Sequence, residues 1–145
     1  MSTAEKTEMG RITVEIELVN HEDVMAVKLG SLAQDKVRRL RLDAIVDTGA
    51  AQLVIPQTAA DVLGVPIVGE TTVRYADHRR DTRKLAGDVE VHVLGRDSVY
   101  RAIIEPGRQD ALLGAIVLED MDLIVDCRKQ RLMPRDPNQI LYEID

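Results

Sequence analysis

The feature that most constrains this chain is a two-residue apolar rhythm that recurs along most of its length. Ile12, Val14, Ile16 and Leu18 alternate with polar neighbours, and so do Val89, Val91 and Val93. Successive strand side chains point to opposite faces, so a period of two marks a strand with one buried face. Residues 11–18, 37–46, 52–56, 71–75, 85–94, 98–104, 123–125 and 130–133 predict strands on this ground, and residues 24–29 and 139–144 read as two more. The apolar set is aliphatic, with no Phe or Trp and 3 Tyr, and its Val and Ile favour sheet. Residues 57–63 have helical character, with Gly64 placed as a C-cap, and residues 115–121 predict a second short helix. Polar breaks fall at residues 20–23, 30–36, 76–81, 95–97 and 126–129. No linker or repeat divides the 145 residues. The expected fold class is all-β, a barrel or sandwich with one or two short helices. Residues 1–10 read as a disordered leader and residues 11–145 as one domain.

Charge and composition exclude several functions. The net charge of −6 argues against phosphate-backbone binding, which needs a basic surface. The single cysteine, Cys127, cannot form an internal disulfide and fits a reducing compartment. No apolar signal core or membrane-length run is present. A cytoplasmic protein with no nucleic-acid or membrane partner is expected. His21, His78 and His92 have no metal-ligand spacing, and no glycine loop suits a phosphate, so neither metal nor cofactor is expected. Arg79, Arg80, Arg83 and Lys84 form a basic group that reads first as a solvated hairpin.

The most informative stretch is Ala44-Ile45-Val46-Asp47-Thr48-Gly49-Ala50. An apolar run delivers an acid into a turn of small residues. Placing an unpaired carboxylate at the end of such a run is costly, which favours a chemical role. An Asx-turn, with Asp47 capping its own backbone, accounts for the tripeptide equally well. A second stretch, Leu112-Leu113-Gly114-Ala115-Ile116, follows later in the chain. With both motifs in this order, the chain resembles the retropepsin-like aspartic proteases over about residues 11–133, and small single-domain prokaryotic members most. Viral members usually carry an Asp–Arg ion pair at the positions of Ala51 and Ala115. Both partners are absent here, so no orphan charge is left.

The resemblance implies an acid-protease barrel in which Asp47, Thr48 and Gly49 form the catalytic loop. It implies substrate contacts from Ala50, Ala51, Leu113 and Gly114, and from Tyr75, Ala76, Asp77 and His78 at a flap hairpin. Tyr75 is also read as a strand aromatic packing on its neighbours. Aspartic-protease chemistry uses two carboxylates sharing one proton across a water, because like charges that close cannot both ionise. One Asp-Thr-Gly occurs per chain and no Asp-Ser-Gly. The resemblance therefore implies a homodimer with both Asp47 residues at its twofold axis, acting on a peptide or protein substrate. Residues 11–18 and 139–144 are candidates for an intersubunit sheet, or equally for edge strands within one subunit. The alternative function is a non-catalytic dimerisation or peptide-binding module of the same fold.

Overall fold

The computed structural model describes residues 5–8, 11–138 and 140–144. The alternating residues of β2 (Arg11–Asn20) bury Ile12, Val14, Ile16 and Leu18, as their period requires. The other strands are β1 (Glu5–Glu8), β3 (Arg39–Val46), β4 (Leu53–Pro56), β5 (Ile67–Arg74), β6 (Arg80–Val93), β7 (Arg96–Glu105), β8 (Ala111–Leu113), β9 (Leu123–Asp126) and β10 (Arg131–Pro134). Eight strands form one sheet in the order β1-β2-β3-β8-β4-β7-β6-β5, and an extra pairing of β2 with β6 closes six of them into a barrel. The pairs β3–β8 and β4–β7 are parallel. β9 and β10 form a separate hairpin.

The barrel interior is aliphatic. Ile16, Leu18, Leu53, Ile55, Leu63, Ile104 and Leu113 are fully enclosed, with Met121 filling the end. Helix α2 (Gln57–Leu63) turns Ala59, Ala60 and Leu63 inward and stops at Gly64, whose φ of 61° is the left-handed conformation of a helix C-cap. Helix α3 (Ala115–Asp120) follows β8 directly. Among the described residues no helix is long and apolar enough to cross a membrane.

Several expectations are corrected. Residues 24–29 are not a strand: helix α1 (His21–Lys28) covers most of them. Asn20 caps that helix, with its side chain accepting from the Asp23 N–H at 3.0 Å. Glu22 and Asp23 in the first turn and Lys28 in the last suit the helix dipole. The turn expected at residues 95–97 is a two-residue connection, Leu94-Gly95, with φ values of 50° and 80°, so Arg96 and Asp97 already belong to β7. Within the expected leader, Glu5–Glu8 pairs antiparallel with β2, and the rest of residues 1–10 lies outside the described residues. Residues 140–144 are not a strand, and Gln139 lies outside the described residues. β2 offers no free edge for an intersubunit sheet, since β1, β3 and β6 all pair with it.

Asn20 also carries a tertiary load. It is fully buried, and its Nδ2 donates to the Leu63 carbonyl at 2.8 Å, joining the start of α1 to the end of α2. Asn20→Ala removes the cap and strands a buried carbonyl, so a loss of about 2–4 kcal/mol is expected in urea unfolding. A loss below about 0.5 kcal/mol would contradict this role. Nearby, Arg38 donates to both Asp23 oxygens at 2.9 Å. These side-chain hydrogen bonds hold the Asp23 carboxyl below its usual range. The stability they supply is complete above the ordinary value of about 3.9, and is lost as pH falls through the lower folded-state value.

Candidate active site

β3 and β8 run parallel, with Val46 opposite Leu113. That register brings the two sequence motifs to the same end of the barrel. Immediately beyond it the Asp47 N–H donates to the Leu113 carbonyl at 3.0 Å. The Ala115 and Ile116 N–H groups donate to the Ala50 and Ala51 carbonyls at 2.7 and 3.0 Å. These main-chain bonds join the segments that carry Ala51 and Ala115. Gly114 makes the approach possible: a Cβ there would lie 2.4 Å from the Gln52 carbonyl oxygen and 2.7 Å from Ala51 C.

Asp47 sits half-buried on this loop. The Gly49 N–H donates to its Oδ1 at 2.9 Å, and the Ala50 N–H donates to its carbonyl at 3.2 Å. The Asx-turn reading is therefore correct as geometry. It also fixes the carboxylate, with one oxygen held by the backbone. Asp47 lines an open cleft of about 470 Å³ together with Gly49, Ala50, Ala51, Tyr75 and Ala76. Val54, Val73, Ile103 and Leu112 give the cleft apolar walls, and Arg74, Glu105 and Arg108 give it charge.

Other residues named from the sequence fall elsewhere. Thr48 is exposed beside Asp47. Leu113 and Gly114 are buried behind the loop, supporting it rather than lining the cleft. Asp77 and His78 stand exposed at the tip of the β5–β6 hairpin, beyond the cleft lining. The tip closes with the Tyr75 N–H on the Arg79 carbonyl and the His78 N–H on the Tyr75 carbonyl, both at 2.9 Å. His78 adopts a φ of 68°, the conformation a glycine would supply more cheaply.

Tyr75 is more than a packing aromatic. Its hydroxyl bonds to both Glu105 oxygens, at 2.8 Å to Oε2. Arg83 Nε donates to the same carboxylate at 2.9 Å, and the Arg79 guanidinium lies 4.1 Å from the Tyr75 ring centre. Burial first, and the neighbouring Glu105 second, push the Tyr75 phenol upward, so it stays a protonated donor. This network ties the tip end of the hairpin to the end of β7. Glu105 and Arg108 were not singled out from the sequence, and Arg83 was named only within a basic group read as a solvated hairpin, because only the β6–β7 pairing and the cleft geometry give them this place. Glu105 shares the cleft with Asp47, but both its oxygens are engaged by Tyr75 and Arg83.

No protein-family profile matches the chain, and no curated protein does. Among solved structures it is similar to the retroviral protease-like domain of Ddi1 from Leishmania major, with a TM-score of 0.50 and 16% identity over 67% of this chain and 81% of that one. It is also similar to EIAV protease in complex with an inhibitor, with a TM-score of 0.48 and 20% identity over 55% of this chain and 76% of that one. A foamy viral protease-reverse transcriptase matches with a TM-score of 0.46 and 18% identity over 54% of this chain, which spans 10% of that one. The closed barrel and short helices, together with the Ddi1 likeness, make this a retropepsin-like fold.

Proposed function

We propose that the chain is one subunit of a homodimeric aspartic endopeptidase that cuts extended peptide segments. The observation that carries this reading is Asp47 at the floor of an open cleft, held by the Gly49 N–H and braced by Leu113. One Asp47 would act as base, taking a proton from the attacking water. Its counterpart in a second subunit would donate a proton to the scissile carbonyl oxygen. Glu105 is a poor second carboxylate, because Tyr75 and Arg83 occupy it. Thr48, exposed beside Asp47, would brace the partner's loop across the axis. The β5–β6 hairpin would act as the flap, adding main-chain hydrogen bonds to an extended substrate and excluding water.

The cleft supports a substrate preference. Its aliphatic walls suit apolar side chains near the scissile bond, and Arg74 and Arg108 favour an acidic residue alongside. The test is cleavage of an unstructured peptide library at acid and neutral pH. Cleavage blocked by a statine-type inhibitor is expected, and an intact library at both pH values would end the proposal. The Gly49–Asp47 bond also favours a second reading, a peptide-binding module in which Asp47 only shapes its loop. That module would bind library peptides and cut none.

A further inference from the structure

The face of the barrel where β6 meets β2 and β7 gathers donors that play no part in the cleft. Glu90 and His92 lie two residues apart on β6 and so share a face. The Leu94-Gly95 turn places Asp97 directly opposite His92, and Glu17 of β2 opposes His92 on the other side. His21, at the start of α1, reaches the same spot. Its Nδ1 is 2.8 Å from Glu90 Oε1, and His92 Nε2 is 2.6 Å from Glu90 Oε2. Two of the chain's 3 histidines thus converge on one carboxylate. One ligand atom each from Glu90, His92 and Asp97 lies within 4.8 Å of the others.

We propose that Glu90, His92 and Asp97, completed by His21, form a binding site for a divalent transition-metal ion, with Zn²⁺ as the fitting ion. Tetrahedral zinc with bonds of about 2.0–2.2 Å needs donor atoms about 3.3–3.5 Å apart. The contacts to Glu90 at 2.6 and 2.8 Å are shorter than that range, so the two histidines would move apart onto an ion between them and Glu90, with Asp97 within 4.8 Å of Glu90 and His92. Imidazole nitrogen with carboxylate oxygen is a donor set that zinc accepts and that magnesium or calcium, which favour all-oxygen cages, does not. Glu17, across from His92, is already ion-paired with Arg39 and Arg41 at 3.6 and 3.8 Å and is left out of the donor set. Glu90 and His92 are half-buried and Asp97 is exposed, which leaves an open approach. A bound ion would fasten α1 to the β6–β7 hairpin on the barrel wall. This proposal does not depend on the peptidase reading.

The experiment is calorimetric titration of the untagged, metal-free chain with Zn²⁺, repeated with Co²⁺ for its visible spectrum. A single site per chain with a dissociation constant of about 1 μM or tighter is expected, together with the intense absorption of tetrahedral cobalt. His92→Ala and Asp97→Asn should each weaken binding about 10- to 100-fold. His78→Ala, at the hairpin tip, should leave binding unchanged. Circular dichroism confirms that each variant is folded. Absence of binding by the native chain below about 100 μM Zn²⁺, or unchanged affinity in folded His92→Ala, would overturn the site.

Discussion

Asp47→Asn is expected to lower peptide cleavage about 10³-fold or more while leaving the fold intact. Asparagine removes the charge that, in the proposed mechanism, takes the proton from water, and an amide is no substitute for a general base. It nevertheless keeps an oxygen at the position that accepts from the Gly49 N–H, 2.9 Å away. The loop should hold its shape, and stability should stay within about 0.5 kcal/mol of wild type, as at other sites where no packing or buried charge is disturbed. A parallel measurement of cleavage rate and urea midpoint separates the two effects. If Asp47→Asn cleaves at the native rate, Asp47 takes no part in the chemistry. If it unfolds the chain, the carboxylate is structural and the binding-module reading gains.

Gly114→Ala should be the most destabilising single methyl addition near the site. The backbone at Gly114 has φ −85° and ψ −179°, which any residue adopts, so conformational freedom is not the issue. The obstacle is steric: the new Cβ would sit 2.4 Å from the Gln52 carbonyl and 2.7 Å from Gln52 N. Those neighbours are main chain and cannot rotate away. A loss of about 3 kcal/mol is expected, at the upper end of overpacking effects. For a chain of this length that is a drop in melting temperature of about 10 °C. Gly30→Ala is the control. Its φ of 80° carries strain, but nothing lies within 4 Å of the added Cβ, so a loss of only about 1–2 kcal/mol is expected. Equal losses at the two positions would show that the Leu113–Gly114 segment is not clamped against the Asp47 loop. Because the Leu113 carbonyl holds the Asp47 N–H, Gly114→Ala should also depress activity in whatever fraction remains folded.

Much of this architecture was legible because period-two burial is a local property. Residues 11–18 and 89–93 show their inward face without any knowledge of their partners. Helix α1 was missed because Val24 and Val27 read as strand formers, while the deciding signal lay in the cap. Asn20 followed three residues later by Asp23, with Lys28 at the far end, is a helix pattern that outweighs β-branching here. The bend of β6 at Gly87-Asp88 was also hidden. Asp88 takes a φ of 54° where the β6–β7 register shifts, and a Cβ at Gly87 would meet Val68 at 2.6 Å. Such a bulge depends on a neighbouring strand that local periodicity does not reveal.

The candidate site divides along the same line. Asp47, Gly49, Ala50 and Ala51 were visible as a contiguous motif. Leu113 and Gly114 were visible too, but their task of clamping the loop from behind emerges only from the parallel β3–β8 register. Glu105 and Arg108 have no local signature, since the end of β7 and the loop after it bring them to the cleft only through the β4–β7 pairing. His21 and Glu90 stand 69 residues apart, and only the β2–β6 closure brings α1 over Glu90.

The most direct test of the account mixes wild-type chain with Asp47→Asn at constant total concentration and allows subunits to exchange. If each active site needs one Asp47 from each of two subunits, a mixed dimer is dead. Activity then follows the square of the wild-type fraction, reaching about one quarter at an equal mixture. Activity that falls in simple proportion, to about one half, would mean that each chain works alone and would contradict the shared dyad.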